Sequence, residues 1–332
     1  MRYLQSVKQE NEVKLDLKDK KILRLFSSDC RLSLTQIAKQ VSLSRDAVNY
    51  RITNYEKKGI IQGYRTVVDL SKLGYSNYHI FLKLSNPSSE IEKKIQLRLC
   101  KINNIRALIK FSGNFDYEIA LVVKNLTELD TIITKIIQAC SGFLHDYEII
   151  AITKTYVTET FPPDFIPKQA KESRPFKESK IDKKDIEILK IIGENSSIPL
   201  YEIANKLNIS ADSVAYRINN MKKSGIILKF IPIINYVSLG YNLYTILLNI
   251  NEFNEEKEKI LINFFDNDKN TLWAVKTIGR FNILVYILAK NINQFQESML
   301  KLRSLFPKQI NHYETLIAYE EYKYLYFPKE LF

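Results

Sequence analysis

The sequence predicts an α+β protein in which a short helical module and a longer strand–helix module stand in tandem and are then repeated. Three observations predict it. A shift of 166 residues lays the second half of the chain on the first without a gap, with 19 identities in the 47 positions of residues 15–61. Each copy opens with three apolar stripes at helical spacing. Each copy then alternates period-two apolar runs with further helical stripes. The chain has 332 residues, 45% apolar and 26% charged, which at about 100–200 residues per domain predicts two to four folded domains. Copies of about 150 residues are far too long for solenoid repeats, so this is a domain pair copied whole.

In the first copy Ile22, Leu23, Leu25 and Phe26 form the first stripe behind Asp16 and Asp19, which suit a helix N-terminus. Leu34, Ile37, Ala38 and Val41 form a second, shorter stripe. Ser44 is placed to cap a third helix that turns Val48, Ile52 and Tyr55 inward and stops at Gly59. The second copy repeats this with Ile188/Leu189, Leu200/Ile203/Ala204 and Val214/Ile218/Met221, ending at Gly225. A strand pair follows, over 60–68 in one copy and 226–234 in the other, and is read as a β-hairpin. Three short helices and a hairpin make a winged helix-turn-helix.

The remainder of copy one reads strand 75–84, helix 89–100, strands 105–111 and 117–123, helix 127–139 and strand 143–153. Copy two reads 241–250, 255–265, 271–277, 283–289, 293–305 and 310–318 in the same order. That is βαββαβ, a ferredoxin-like domain. The expected organisation is a tail (1–14), winged helix one (15–70), ferredoxin-like domain one (71–160), a linker with four prolines (161–180), winged helix two (181–236) and ferredoxin-like domain two (237–332).

Composition narrows the function. Three cysteines without CxxC spacing exclude a disulfide scaffold and a thiolate zinc site, and three dispersed histidines argue against a metal centre. The longest apolar run, 283–289, is strand-sized and too short to span a bilayer. No secretory leader is visible at Met1, so a cytoplasmic protein is expected. The net charge is +12, and residues 1–70 carry half of it, with 14 Lys/Arg against 8 Asp/Glu. A basic segment is the footprint of a polyanion binder.

A helical projection puts Asp46, Tyr50, Thr53 and Lys57 on the outward face of the third helix, with Asn49 and Arg51 on its flanks. Arg45 suits guanine or phosphate, and Asn49 suits adenine. Thr35 and Gln36 of the second helix and Arg65 of the expected wing are the phosphate-contact candidates, and Ser44 at the helix start is a further DNA-contact candidate. The second copy offers Ser210, Asp212, Ser213, Tyr216, Arg217 and Lys229. It has Ala211, Ala215, Glu202 and Ile231 where the first has Arg45, Asn49, Gln36 and Arg65, so winged helix one is expected to supply most of the affinity.

Leu15 to Leu23, Leu43 to Ile61 and Gly113-Asn-Phe-Asp-Tyr117 resemble the Lrp/AsnC family of transcription regulators, twice over nearly the whole chain. The resemblance implies a winged helix joined to a regulatory module that binds an amino acid or other small-molecule effector, normally one of each per subunit of a symmetric dimer. It implies effector residues Gly113, Asn114 and Asp116, matched by Gly279, Arg280 and Asn282, and a family arginine at Arg51 and Arg217. The expected activity is sequence-specific binding of double-stranded DNA by a single-chain pseudo-dimer, with further dimerisation through the sheets. Neither catalysis nor a cofactor or metal is expected. Two alternatives are a sirohaem-decarboxylase-like enzyme and a winged-helix protein adaptor. The first needs an Arg-Arg/His cluster after the wing, where residues 62–68 hold one arginine and no histidine. His79, His145 and Trp273 are read as structural.

Overall fold

A computed structural model describes residues 13–163, 165–166 and 181–332. Most of the expected tail, and residues 167–180 of the expected linker, lie outside the described residues. The chain divides into two compact units. One gathers Lys14–Tyr75, residues 181–235 and Leu325–Phe332; the other gathers the strand–helix modules of both copies.

In the first unit α1 (Leu17–Ser28), α2 (Leu34–Val41) and α3 (Arg45–Lys57) lead into β1 (Ile61–Val68). Each helix start carries its own cap. Asp16 and Asp19 form a capping box, Ser33 and Gln36 form another, and the Ser44 hydroxyl accepts from Ala47 N. The second copy supplies α6 (Lys183–Glu194), α7 (Leu200–Leu207), α8 (Ala211–Lys223) and β6 (Ile227–Ile234). Pro199 stands where Ser33 stood and gives α7 no side-chain cap.

The expected hairpin wings are corrected. β1 and β6 pair with each other, antiparallel, in a two-stranded sheet shared by both copies. After Val68 the chain enters a short 3₁₀ turn (Leu70–Leu73) instead of returning, so the backbone groups of β1 find their partner in the other copy. Arg65 faces Ile231, its own counterpart, and Tyr64↔Pro232 mirrors Thr66↔Phe230. A pseudo-twofold axis therefore runs through the Arg65/Ile231 pair. Helix ends obey it too: Cys30 N donates to Phe230 O (2.9 Å) and Ser196 N to Tyr64 O (3.2 Å).

In the second unit β2 (Ser76–Leu84), α4 (Ser89–Cys100), β3 (Ile105–Ser112), β4 (Tyr117–Val123), α5 (Leu126–Ala139) and β5 (Leu144–Thr158) form the first βαββαβ module. The second runs β7 (Asn242–Ile250), α9 (Glu255–Asn267), β8 (Thr271–Ile278), β9 (Ile283–Ala289), α10 (Ile292–Leu305) and β10 (Ile310–Tyr324). β5 and β10 run 15 residues each, past the ends expected from sequence. Their second halves pair with β8 and β3 of the other module and close an eight-stranded barrel, β10-β3-β4-β2-β5-β8-β9-β7. The two seams are equivalent: Ala151↔Ile278 in one is Ile317↔Ser112 in the other. Closure leaves no open sheet edge. Helices cover the outside of the barrel, α4 and α5 on Ile80, Leu82, Ile119 and Leu121, α9 and α10 on Ile246, Leu248, Val285 and Ile287.

An ion-pair triad ties one seam to a helix. Lys154 of β5 and Lys276 of β8 each lie 2.8 Å from the buried Glu258 carboxylate of α9. These two ammonium groups, Lys154 first, hold the Glu258 pKa down to about 2. A carboxyl with a depressed folded-state pKa stabilises fully above its unfolded value of about 4.3, and that contribution fades as pH falls from there towards 2. The urea midpoint of Glu258→Gln should therefore fall less steeply than that of the parent between pH 5 and 2. Parallel profiles would remove the triad from the acid response.

Candidate nucleic-acid interface

α3 begins at Arg45 because the left-handed Ser42 ends α2 and Ser44 caps the next helix. Val48, Ile52 and Tyr55 are buried against α1 and α2, which turns the opposite side of α3 to solvent. Arg45, Asp46, Asn49 and Tyr50 are all exposed, Tyr50 at 73%. α8 presents the same face with Asp212 and Tyr216 exposed, the latter at 69%, and Ser213 half-buried. On α2 Thr35 is exposed, and its counterpart on α7 is Tyr201, also exposed, which sequence reasoning passed over. Its signal was available: an aromatic on the polar side of a helix stripe.

Several expected contact residues are engaged within the protein. Arg51 Nη1 lies 2.8 Å from Asp16 Oδ2 and 2.5 Å from Asp19 Oδ1, and Arg217 repeats this with Asp182 (2.7 Å) and Asp185 (2.8 Å). These bonds clamp the third helix to the capping box of the first. Asp16 is held below the usual carboxylate range, first by the backbone N–H of Asp19 and further by Arg51. Arg65 sits in the shared β1–β6 sheet and not on a hairpin of its own copy. Its guanidinium donates to Glu194 O at the C-terminus of α6, where a cation suits the helix dipole. The Gln36 side chain closes its capping box, the Ser44 and Ser210 hydroxyls cap their own helices, and Lys229 lies within the β1–β6 ladder opposite Val67.

The clamps differ in one respect. The Tyr55 hydroxyl also donates to Asp19 (2.6 Å), whereas the equivalent position holds Met221, which has no hydroxyl to offer. Arg217→Ala should cost about 2 kcal/mol, because the nearly buried Asp185 loses its one side-chain donor in the clamp, and Arg51→Ala should cost less. Urea unfolding of both variants decides it; a larger loss for Arg51→Ala would reject this account.

The effector candidates lie elsewhere, in the two β-turns of the barrel. Asp116 Oδ2 accepts from Leu84 N (2.7 Å), and Asn282 Oδ1 accepts from Ile250 N (3.0 Å), the same bond in each copy. Asn114 bridges Lys83 (3.1 Å) and Glu314 (3.1 Å). Arg280 N donates to Glu148 (3.2 Å), and Asn249 donates to Arg280 O. Gly113 and Gly279 have φ of 148° and 144° and press against β10 and β5 respectively. Among the described residues no group of His, Cys, Asp and Glu has metal-binding geometry, and no helix is long and apolar enough to cross a membrane.

A winged helix-turn-helix DNA-binding family matches the chain twice, at residues 15–62 and 181–227. The HTH-type transcriptional regulator LrpA of Pyrococcus abyssi is 32% identical over 130 residues, 39% of this chain and 89% of the relative. LrpA of Pyrococcus horikoshii is 34% identical over 102 residues, 30% and 70% of the two chains. The chain belongs to the Lrp/AsnC family. Each of these relatives matches about one copy of this Lrp/AsnC regulator, which carries two DNA-binding helix-turn-helix modules.

Two solved structures of one enzyme resemble nearly the whole chain. The sirohaem decarboxylase NirDL superposes with a TM-score of 0.62, covering 92% of both chains at 14% identity. In complex with an iron-uroporphyrin III analogue it gives 0.63, covering 94% and 95% at 13% identity. This overturns the expectation of a protein without catalysis: the whole two-copy fold is one that an enzyme uses. At such identity the likeness is one of fold.

Proposed function

We propose that this chain is a sequence-specific regulator that grips double-stranded DNA with both winged helices as a built-in dimer. The observation that supports this most is the pairing of β1 with β6 about the Arg65/Ile231 pair. A twofold relation between recognition helices is what a palindromic duplex site requires, and here one polypeptide supplies it. The outward faces of α3 and α8 are exposed while the arginines on their flanks are tied down as clamps. That division leaves Arg45, Asn49 and Tyr50 as base-reading groups of α3, and Tyr216 beside Ala211 and Ala215 on α8, suited to thymine methyls. The preferred operator has two unlike half-sites about one helical turn, ~34 Å, apart.

Selection of bound sequences from random duplex DNA, followed by footprinting, tests the reading. Two unlike half-sites and an affinity that falls steeply with salt are expected. A salt-independent affinity, or a single protected half-site, would reject it. An absorbance titration with an iron tetrapyrrole runs alongside, since the fold of NirDL accommodates one; tight stoichiometric binding with no DNA selection would favour the tetrapyrrole reading.

A further inference from the structure

We infer that the two halves of this chain are built as unlike partners, each complementary to the other and neither to a second copy of itself. The inference does not depend on DNA binding. It rests on residues inside the barrel. Ile80, Ile119, Ala274 and Val285 face the helix layers, so their strand neighbours His79, Glu118, Trp273 and Tyr286 face the interior. His79 Nδ1 lies 2.5 Å from Glu118 Oε1, and the Tyr286 hydroxyl donates to the same oxygen. The His79 ring stacks on Trp273 at 5.5 Å, and Trp273 packs on Tyr286 at 4.8 Å.

The first half supplies His79 and Glu118, and the second supplies the two aromatics. At the counterpart positions stand Thr245, Leu284, Ala107 and Ala120, all buried. Four large polar and aromatic side chains thus meet in one group, while two alanines, a threonine and a leucine stand at the equivalent positions. Two first halves brought together would set Ala107 and Ala120 opposite His79 and Glu118, and symmetry would do so twice. The 1%-exposed Glu118 would lose its tyrosine donor, and space now filled by a tryptophan and a tyrosine would be empty. Two second halves would drive Trp273 and Tyr286 against Thr245 and Leu284, overfilling the interior.

The winged-helix unit carries the same code independently. Lys222 lies 3.0 Å from Asp29, and their counterparts are Glu56 and Asn195. Two first halves would therefore set Glu56 against Asp29. Arg31 donates to Ser196 O (2.6 Å) and Ile198 O (3.1 Å), bonds that its counterpart, Ser197, is too short to make. Asymmetry of this kind selects one partner by penalising the others.

An exchange experiment on the full chain tests this. The one-sided variant Thr245→His, Trp273→Ala, Leu284→Glu, Tyr286→Ala gives both halves the first half's interior face. Its thermal midpoint should fall by about 10 °C or more. The exchange variant adds His79→Thr, Ala107→Trp, Glu118→Leu and Ala120→Tyr, so that the two faces trade sides. It carries twice the substitutions and should nonetheless regain more than half of the lost midpoint. An exchange variant no more stable than the one-sided one, or a one-sided variant as stable as the parent, overturns the inference.

Discussion

Gly279→Ala is expected to cost the barrel about 3–5 kcal/mol, and Gly113→Ala distinctly less, although the two glycines occupy equivalent turns. Both hold φ near 145°, where an L side chain is strained whatever the space around it. They differ in what a methyl would strike. At Gly279 it would come within 2.6 Å of Ile149 O, a backbone atom fixed in the β5 ladder. At Gly113 the 2.6 Å neighbour is Leu316 Cδ2, the far end of a side chain that can turn aside, with Thr315 O next at 3.0 Å. Urea melts of the two variants read the difference directly, and equal or reversed losses would show that these turns are softer than their packing implies.

Arg45→Ala should weaken binding to the selected operator about 10- to 100-fold at fixed salt, the range for losing one bidentate base contact. Ala211→Arg with Ala215→Asn, which copies the α3 face onto α8, should tighten binding to a palindrome of the first half-site by a comparable factor. Fluorescence anisotropy at one ionic strength measures both. If Arg45→Ala leaves affinity unchanged, or the copied face binds the palindrome no better than the parent, the two recognition helices are not the asymmetric pair argued above. Arg217→Ala is an unsuitable comparison, because its loss would report on the clamp to Asp182 and Asp185.

Residue spacing alone was enough for what is local. Helical spacing placed Val48, Ile52 and Tyr55 inward and so left Tyr50 outward, and the 166-residue repeat carried the same reading to Tyr216. Caps such as Asp16 and Ser44 were legible because a cap bonds a backbone group three residues on. The strand pairings emerged only in the folded chain. An eight-residue strand such as β1 offers the same row of N–H and C=O groups to any partner, so nothing in residues 61–68 names β6 rather than a hairpin return. The second halves of β5 and β10 were missed for that reason, since their partners lie in the other copy. Alternation could bury His79, Glu118 and Tyr286, but the bonds among them join residues 39 and 168 positions apart, which only the closed barrel brings together.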